Sequence, residues 1–77
     1  MTITVYTKSH CPQCDATKRW LTEHEVPFEA RDLMEHPDDL QRLISAGFGS
    51  APIVEADGHE AFAGFQPERL RKLVDQA

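Results

Sequence analysis

Apolar residues along this chain fall into a period of two, then into a period near 3.6, and then repeat the change. Ile3 and Val5, with Thr7 in step, alternate with Thr4 and Tyr6, and the β-branched content predicts a first strand over residues 2–7. Over residues 12–25, Ala16, Trp20 and Leu21 recur at helical spacing with Lys18, Arg19, Glu23 and Glu25 on other faces, which predicts a first helix. Val26-Pro27 stops it, and residues 28–33 alternate as a second strand. Strand, helix, strand in that order predicts a parallel βαβ unit.

A second helix is predicted from Pro37, with Asp38 and Asp39 in its first turn, Leu40, Leu43 and Ile44 on one face and Gly47 at C′. After Gly47-Phe48-Gly49-Ser50, residues 52–55 read as a third strand, and Asp57-Gly58 signals a hairpin into Glu60-Ala61-Phe62-Ala63. Gly64-Phe65-Gln66 bends away, Pro67 suits the first helical position, and Leu70, Leu73 and Val74 mark a C-terminal helix. The order is β-α-β-α-β-β-α in one α/β domain spanning residues 1–77. Such short helices are marginal alone, so their apolar faces must cover both sides of the sheet.

Composition narrows the class. With 40% hydrophobic residues the chain can build a small core, and a domain of 77 residues buries only about 60% of its unfolded surface. Thirteen acidic against eight basic residues leave a net charge of −5 with the positive side chains scattered, so nucleic acid is not expected as a partner. No run approaches membrane-spanning length and no charged-then-apolar leader is seen, so a cytoplasmic protein is expected, with no membrane partner.

The two cysteines then set the chemistry. Cys11 and Cys14 lie three apart where the first strand gives way to the first helix. A cysteine at a helix mouth faces unpaired N–H groups and the positive end of the helix dipole, which favour thiolate. A second cysteine at i+3 shares its face and can attack the mixed disulfide formed by the first. Cys11 is therefore expected to be the exposed nucleophile and Cys14 the shielded resolving thiol. Pro12 fits the first helical position, where its missing N–H removes no usable donor. In a reducing cytosol this spacing speaks for catalysis or metal binding over a permanent staple. The plain alternative is a buried, inert pair. The sharper one is zinc, with Cys11 and Cys14 joined by two of His10, His24, His36 and His59, although the histidines show no paired-ligand spacing.

Val5-Tyr6-Thr7-Lys8 leading into Cys11-Pro12-Gln13-Cys14, Ala51-Pro52 opening a strand, and Gly64-Phe65-Gln66-Pro67-Glu68 before the last helix together resemble the NrdH-redoxins over essentially the whole chain. These are glutaredoxin-like proteins of the thioredoxin fold. The resemblance implies a central four-stranded mixed sheet flanked by three helices. It implies a dithiol electron donor to ribonucleotide reductase, of class Ib, re-reduced by thioredoxin reductase at the expense of NADPH, with no bound cofactor and a monomeric state. Cys11 and Cys14 match the redox pair. Pro52 matches the cis-proline opposite it, beside a backbone that can pair with an extended substrate. Phe62 and Ala63 stand where the family usually has Trp and Ser, which takes two hydrogen-bonding groups from that segment. In glutathione-using relatives a Gly-Gly pair followed by polar and acidic residues occupies this region, whereas Gly64 here is followed by no acid until Glu68. A glutathione-coupled glutaredoxin is the alternative enzyme, and a metal or iron-sulfur carrier the alternative without catalysis.

Partner contact is expected from Lys8, His10, Pro12, Gln13, Ala51, Pro52, Gly64 and Phe65. Lys8 is either a solvated lysine or a charge favouring the thiolate and docking an acidic partner tail. His10, when protonated, is near enough to act on Cys11. Phe65 is either buried or an apolar partner contact, and Trp20 is assigned to core packing.

Overall fold

The alternating run at the start of the chain becomes β1 (Ile3–Thr7), and it takes an interior place in the sheet of the computed structural model, which describes residues 2–75. The other elements are α1 (Pro12–Glu23), β2 (Glu29–Asp32), α2 (Pro37–Ser45), β3 (Ile53–Ala56), β4 (Phe62–Ala63) and α3 (Pro67–Asp75). The sheet order is β2-β1-β3-β4. β1 runs parallel to β2 and antiparallel to β3, and β3 is antiparallel to β4, giving the mixed sheet of the thioredoxin fold.

Alternation along β1 and β3 sends neighbouring side chains to two separate cores. Ile3, Val5, Val54 and Ala56 meet Leu21 of α1 and Leu70 and Leu73 of α3 on one face. Tyr6 and Ile53 meet Leu33 and Leu43 on the other, under α2. The helices thus cover both faces, as their apolar stripes require. A fully buried leucine such as Leu21 contributes about 1.5–3 kcal/mol by leaving water.

The boundaries differ from the periodicity in instructive places. α1 stops at Glu23, two residues early, because Glu25 turns left-handed at φ 57°. The Glu25 N–H then reaches Thr22 O at 3.1 Å and the Val26 N–H reaches Leu21 O at 2.9 Å, the paired bonds of a Schellman ending with glutamate where glycine is usual. The buried stripe of α1 is Cys14, Thr17 and Leu21, whereas Ala16 and Trp20 are only half-buried at its margin. Trp20 still packs against the first core and stacks on His24, with ring centroids 3.7 Å apart.

β2 is an edge strand whose Glu29 and Ala30 are exposed, and the apolar residues bounding it, Phe28 and Leu33, serve different cores. The hairpin after β3 spans more than a tight turn. Gly58 adopts φ 78° and the His59 N–H closes on Ala56 O at 3.1 Å, but pairing resumes only at Phe62. In α2, Gly47 at φ 99° ends the helix as expected, while Ile44, placed on the apolar face by its spacing, is 52% exposed.

Candidate redox site

Helix α1 needs an N-cap, and Cys11 supplies it with sulfur. Its backbone is extended at φ −121°, and its Sγ accepts the N–H of Cys14 at 3.1 Å. Pro12 occupies the first helical turn, where no donor is lost. Cys11 and Cys14 are joined as a disulfide, with Cα atoms 5.2 Å apart. The N–H aimed at Cys11 Sγ and the helix N-terminus favour negative charge on that sulfur once the bond opens. In this oxidised form Cys11 is not the exposed residue anticipated: it keeps 7% of its surface against 1% for Cys14. Its sulfur is engaged by Cys14 Sγ and by the Cys14 N–H, and only the order of accessibility remains.

Two further segments connect to the cysteine turn through hydrogen bonds, and the loop into Cys11 completes the site. The Ala51–Pro52 peptide is cis, as the resemblance implies, and Pro52 is buried. Among the described residues, neither the N–H nor the C=O of Ala51 enters a hydrogen bond, and Ala51 itself is half-buried against the second core. Gly64 adopts φ 86°, a region that favours glycine, and its N–H donates to Pro52 O at 2.8 Å. The next N–H, of Phe65, donates to Gln13 Oε1 at 3.1 Å. Gln66 Nε2 donates to Ala63 O at 2.7 Å. This segment is therefore tied down through glutamine amides and backbone, without the indole and hydroxyl that Phe62 and Ala63 lack. Phe65 is half-buried against the first core.

Lys8 and His10 are both exposed on the loop into Cys11, where His10 adopts φ 55°. Lys8 borders a mostly apolar hollow of about 130 Å³ that also includes Met34, Ile44, Phe48 and Ala51. Of the four histidines considered as zinc ligands, two make side-chain contacts to backbone: His24 Nδ1 to Trp20 O at 2.7 Å and His36 Nδ1 to Asp32 O at 2.9 Å. Among the described residues no three His, Cys, Asp or Glu side chains are gathered as a metal site needs.

Sequence reasoning missed two supports of this site. Thr17 is fully buried, and its hydroxyl donates to Gln13 O at 2.9 Å, bracing the turn between the cysteines from within. Its position three residues after Cys14 and four before Leu21 was the available signal. The Gln13–Phe65 link spans 52 residues of sequence and left no periodic trace.

A disulfide between i and i+3 at the mouth of a helix, linked through the Gly64–Phe65 loop to a cis-proline that enters a mixed sheet, defines a thiol-disulfide oxidoreductase of the thioredoxin fold. The glutaredoxin family matches residues 3–60, and the Glutaredoxin-like protein NrdH of Lactococcus lactis subsp. lactis is 42% identical over 94% of this chain and 99% of its own. The protein of the same name from Escherichia coli is 36% identical over 95% of this chain and 89% of its own. The structure of Escherichia coli NrdH-redoxin superposes with a TM-score of 0.90 at 36% identity, covering 95% of each chain. A glutaredoxin from Archaeoglobus fulgidus superposes with a TM-score of 0.78 at 27% identity, over 94% of this chain and 84% of that one. The chain belongs to the glutaredoxin family and, within it, to the NrdH-redoxins.

Proposed function

We propose that this redoxin is the dithiol electron donor of a class Ib ribonucleotide reductase and that thioredoxin reductase returns it to the dithiol with electrons from NADPH, in the cytoplasm and as a monomer. The Cys11 thiolate attacks one sulfur of the acceptor's disulfide, forming a mixed disulfide and releasing the acceptor's other sulfur as thiolate. The Cys14 thiolate then attacks Cys11 Sγ, freeing the second acceptor sulfur and closing the Cys11–Cys14 disulfide. Two electrons pass to the acceptor. The reductase delivers two electrons back by the reverse exchange, and no cofactor stays on the redoxin.

The observation that carries this reading is the loop after Gly64. Phe65 leans on the core, its N–H is already held by Gln13, and no acid follows until Glu68, so little is left to grip a charged tripeptide. The unpaired Ala51 edge suits an extended protein segment instead, with Lys8 bordering the same hollow as Ala51 and with His10 and Pro12 exposed beside Cys11. The Escherichia coli relative is described as having a thioredoxin-like activity profile, in line with this choice of reductant.

The test is NADPH consumption with a disulfide acceptor, run with thioredoxin reductase and, in parallel, with glutathione plus glutathione reductase. Turnover only in the first arm is expected, and the ribonucleotide reductase is then the acceptor to supply. Turnover through glutathione alone would overturn the reading.

A further inference from the structure

Two consecutive N–H groups of one loop are divided between the two other parts of the redox site. Gly64 donates to the carbonyl of Pro52 at 2.8 Å, and Phe65 donates to the side chain of Gln13 at 3.1 Å. Gln13 lies between the two cysteines and is exposed, yet its backbone is anchored, because its carbonyl accepts the hydroxyl of the fully buried Thr17. A fixed base therefore carries a side chain that crosses to the loop. At Gly64 an added Cβ would stand 3.5 Å from Gln13 Oε1, an ordinary contact, so the side chain rests closely along the loop.

The geometry points to Gln13 as a positioning residue for protein substrates. Its amide oxygen latches the Gly64–Phe65 loop onto the cysteine turn, so that turn, proline segment and loop present one registered surface to a polypeptide disulfide. A short link between exposed groups needs such a latch more than a core does, since a loop with free N–H groups samples several positions and an incoming protein must order it on docking. A small disulfide touches the sulfur of Cys11 and little else, so it gains less from a loop held in place. The latch therefore acts on the choice between protein and small acceptors and leaves the sulfur chemistry itself to Cys11 and Cys14. This inference rests on the thiol-disulfide exchange of those cysteines and is independent of which reductase recycles them.

Gln13→Met keeps side-chain length but removes the acceptor, and Gln13→Glu returns an acceptor oxygen at the same reach. Both are compared with wild type in the full chain by amide hydrogen exchange at Phe65 in the oxidised protein. They are also compared by single-turnover rate constants of the pre-reduced protein with insulin and with the small, uncharged aromatic disulfide dithiodipyridine. In Gln13→Met, exchange at Phe65 is expected to rise about fivefold and the ratio of insulin to small-disulfide rate constants to fall about fivefold, the scale of one net hydrogen bond. Gln13→Glu should bring both back toward wild type. Its added charge acts on the Cys11 thiolate, which both acceptors meet, and the small acceptor is itself uncharged, so the ratio reads the latch. Unchanged Phe65 exchange in Gln13→Met, an equal fall with both acceptors, or no recovery in Gln13→Glu each overturns the proposal.

Discussion

Arg42 of α2 and Glu55 of β3 meet with Nη1 2.9 Å from Oε2, and both hold the hydroxyl of Tyr6 in β1. Tyr6 donates to Glu55 Oε1 at 2.9 Å, and Arg42 Nη2 donates to the Tyr6 oxygen at 2.9 Å. Residues from three elements thus close one polar cluster over the second core. Arg42 also reaches Asp39 at 3.6 Å, and Arg31 of β2 reaches the same carboxylate at 3.3 Å.

Breaking this cluster at its centre should cost stability without touching the redox turn. The Arg42 side chain is 49% exposed, so solvent screens the pair, and Arg42→Ala should destabilise by about 1 kcal/mol. For a domain of this size that corresponds to a fall in Tm of about 4–8 °C. Thermal unfolding of Arg42→Ala, Glu55→Ala and the double variant measures the coupling, which vanishes if the two losses simply add.

The same cluster bounds stability on both sides of neutral pH. The hydrogen bond from Arg42 holds the Glu55 carboxyl below its ordinary 4.5, although burial works the other way. Its contribution is complete above pH 4.5 and is lost as pH falls through the lowered value. Burial, and then the bond to Glu55, pushes the Tyr6 hydroxyl above its ordinary 10.0. That contribution is complete below pH 10.0 and is lost as pH rises through the raised value. Denaturant midpoints across the pH range should show both flanks, and Tyr6→Phe should remove the alkaline one.

The cysteine order predicts two distinct failures. Cys11→Ser should abolish reduction of any disulfide acceptor, whereas Cys14→Ser should retain the first attack and accumulate a mixed disulfide. Non-reducing gels and mass spectrometry after mixing with an acceptor distinguish them. Equal loss in both variants with no trapped species would count against these roles.

Thr17 offers a way to loosen the turn from below. Thr17→Val keeps the volume at a fully buried position but leaves the Gln13 carbonyl without its hydroxyl partner, a loss of about 1 kcal/mol. The expected readout is a lower urea midpoint with unchanged m-value.

Glu25 marks a place where the chain carries strain it does not need. A non-glycine residue at φ 57° costs about 1 kcal/mol in that region, so Glu25→Gly should stabilise, or at least not destabilise, the end of α1. A fall in Tm would show that the Glu25 side chain has a role of its own.

The order of elements, the cysteine pair at a helix mouth and the proline before the third strand could all be read from the chain, because each depends on local periods and on residues with few conformations. Gly47 ended α2 as its position required, since a left-handed C′ is a local demand. Ends of elements were less legible. α1 closed on Glu25 where no glycine announced it, and Ile44 kept its helical spacing but stayed 52% exposed, because the second core takes Leu40 and Leu43 of that stripe and leaves Ile44 outside it. What only tertiary structure decided are contacts between distant residues. Gln13 with Phe65, Gly64 with Pro52, and Tyr6 with Arg42 and Glu55 are made by side chains and peptides that fold topology brings together, and no period along the chain encodes them. The sequence by itself determined which atoms exchange electrons; the packing of loop, proline and helix determined the surface on which a partner must present its disulfide.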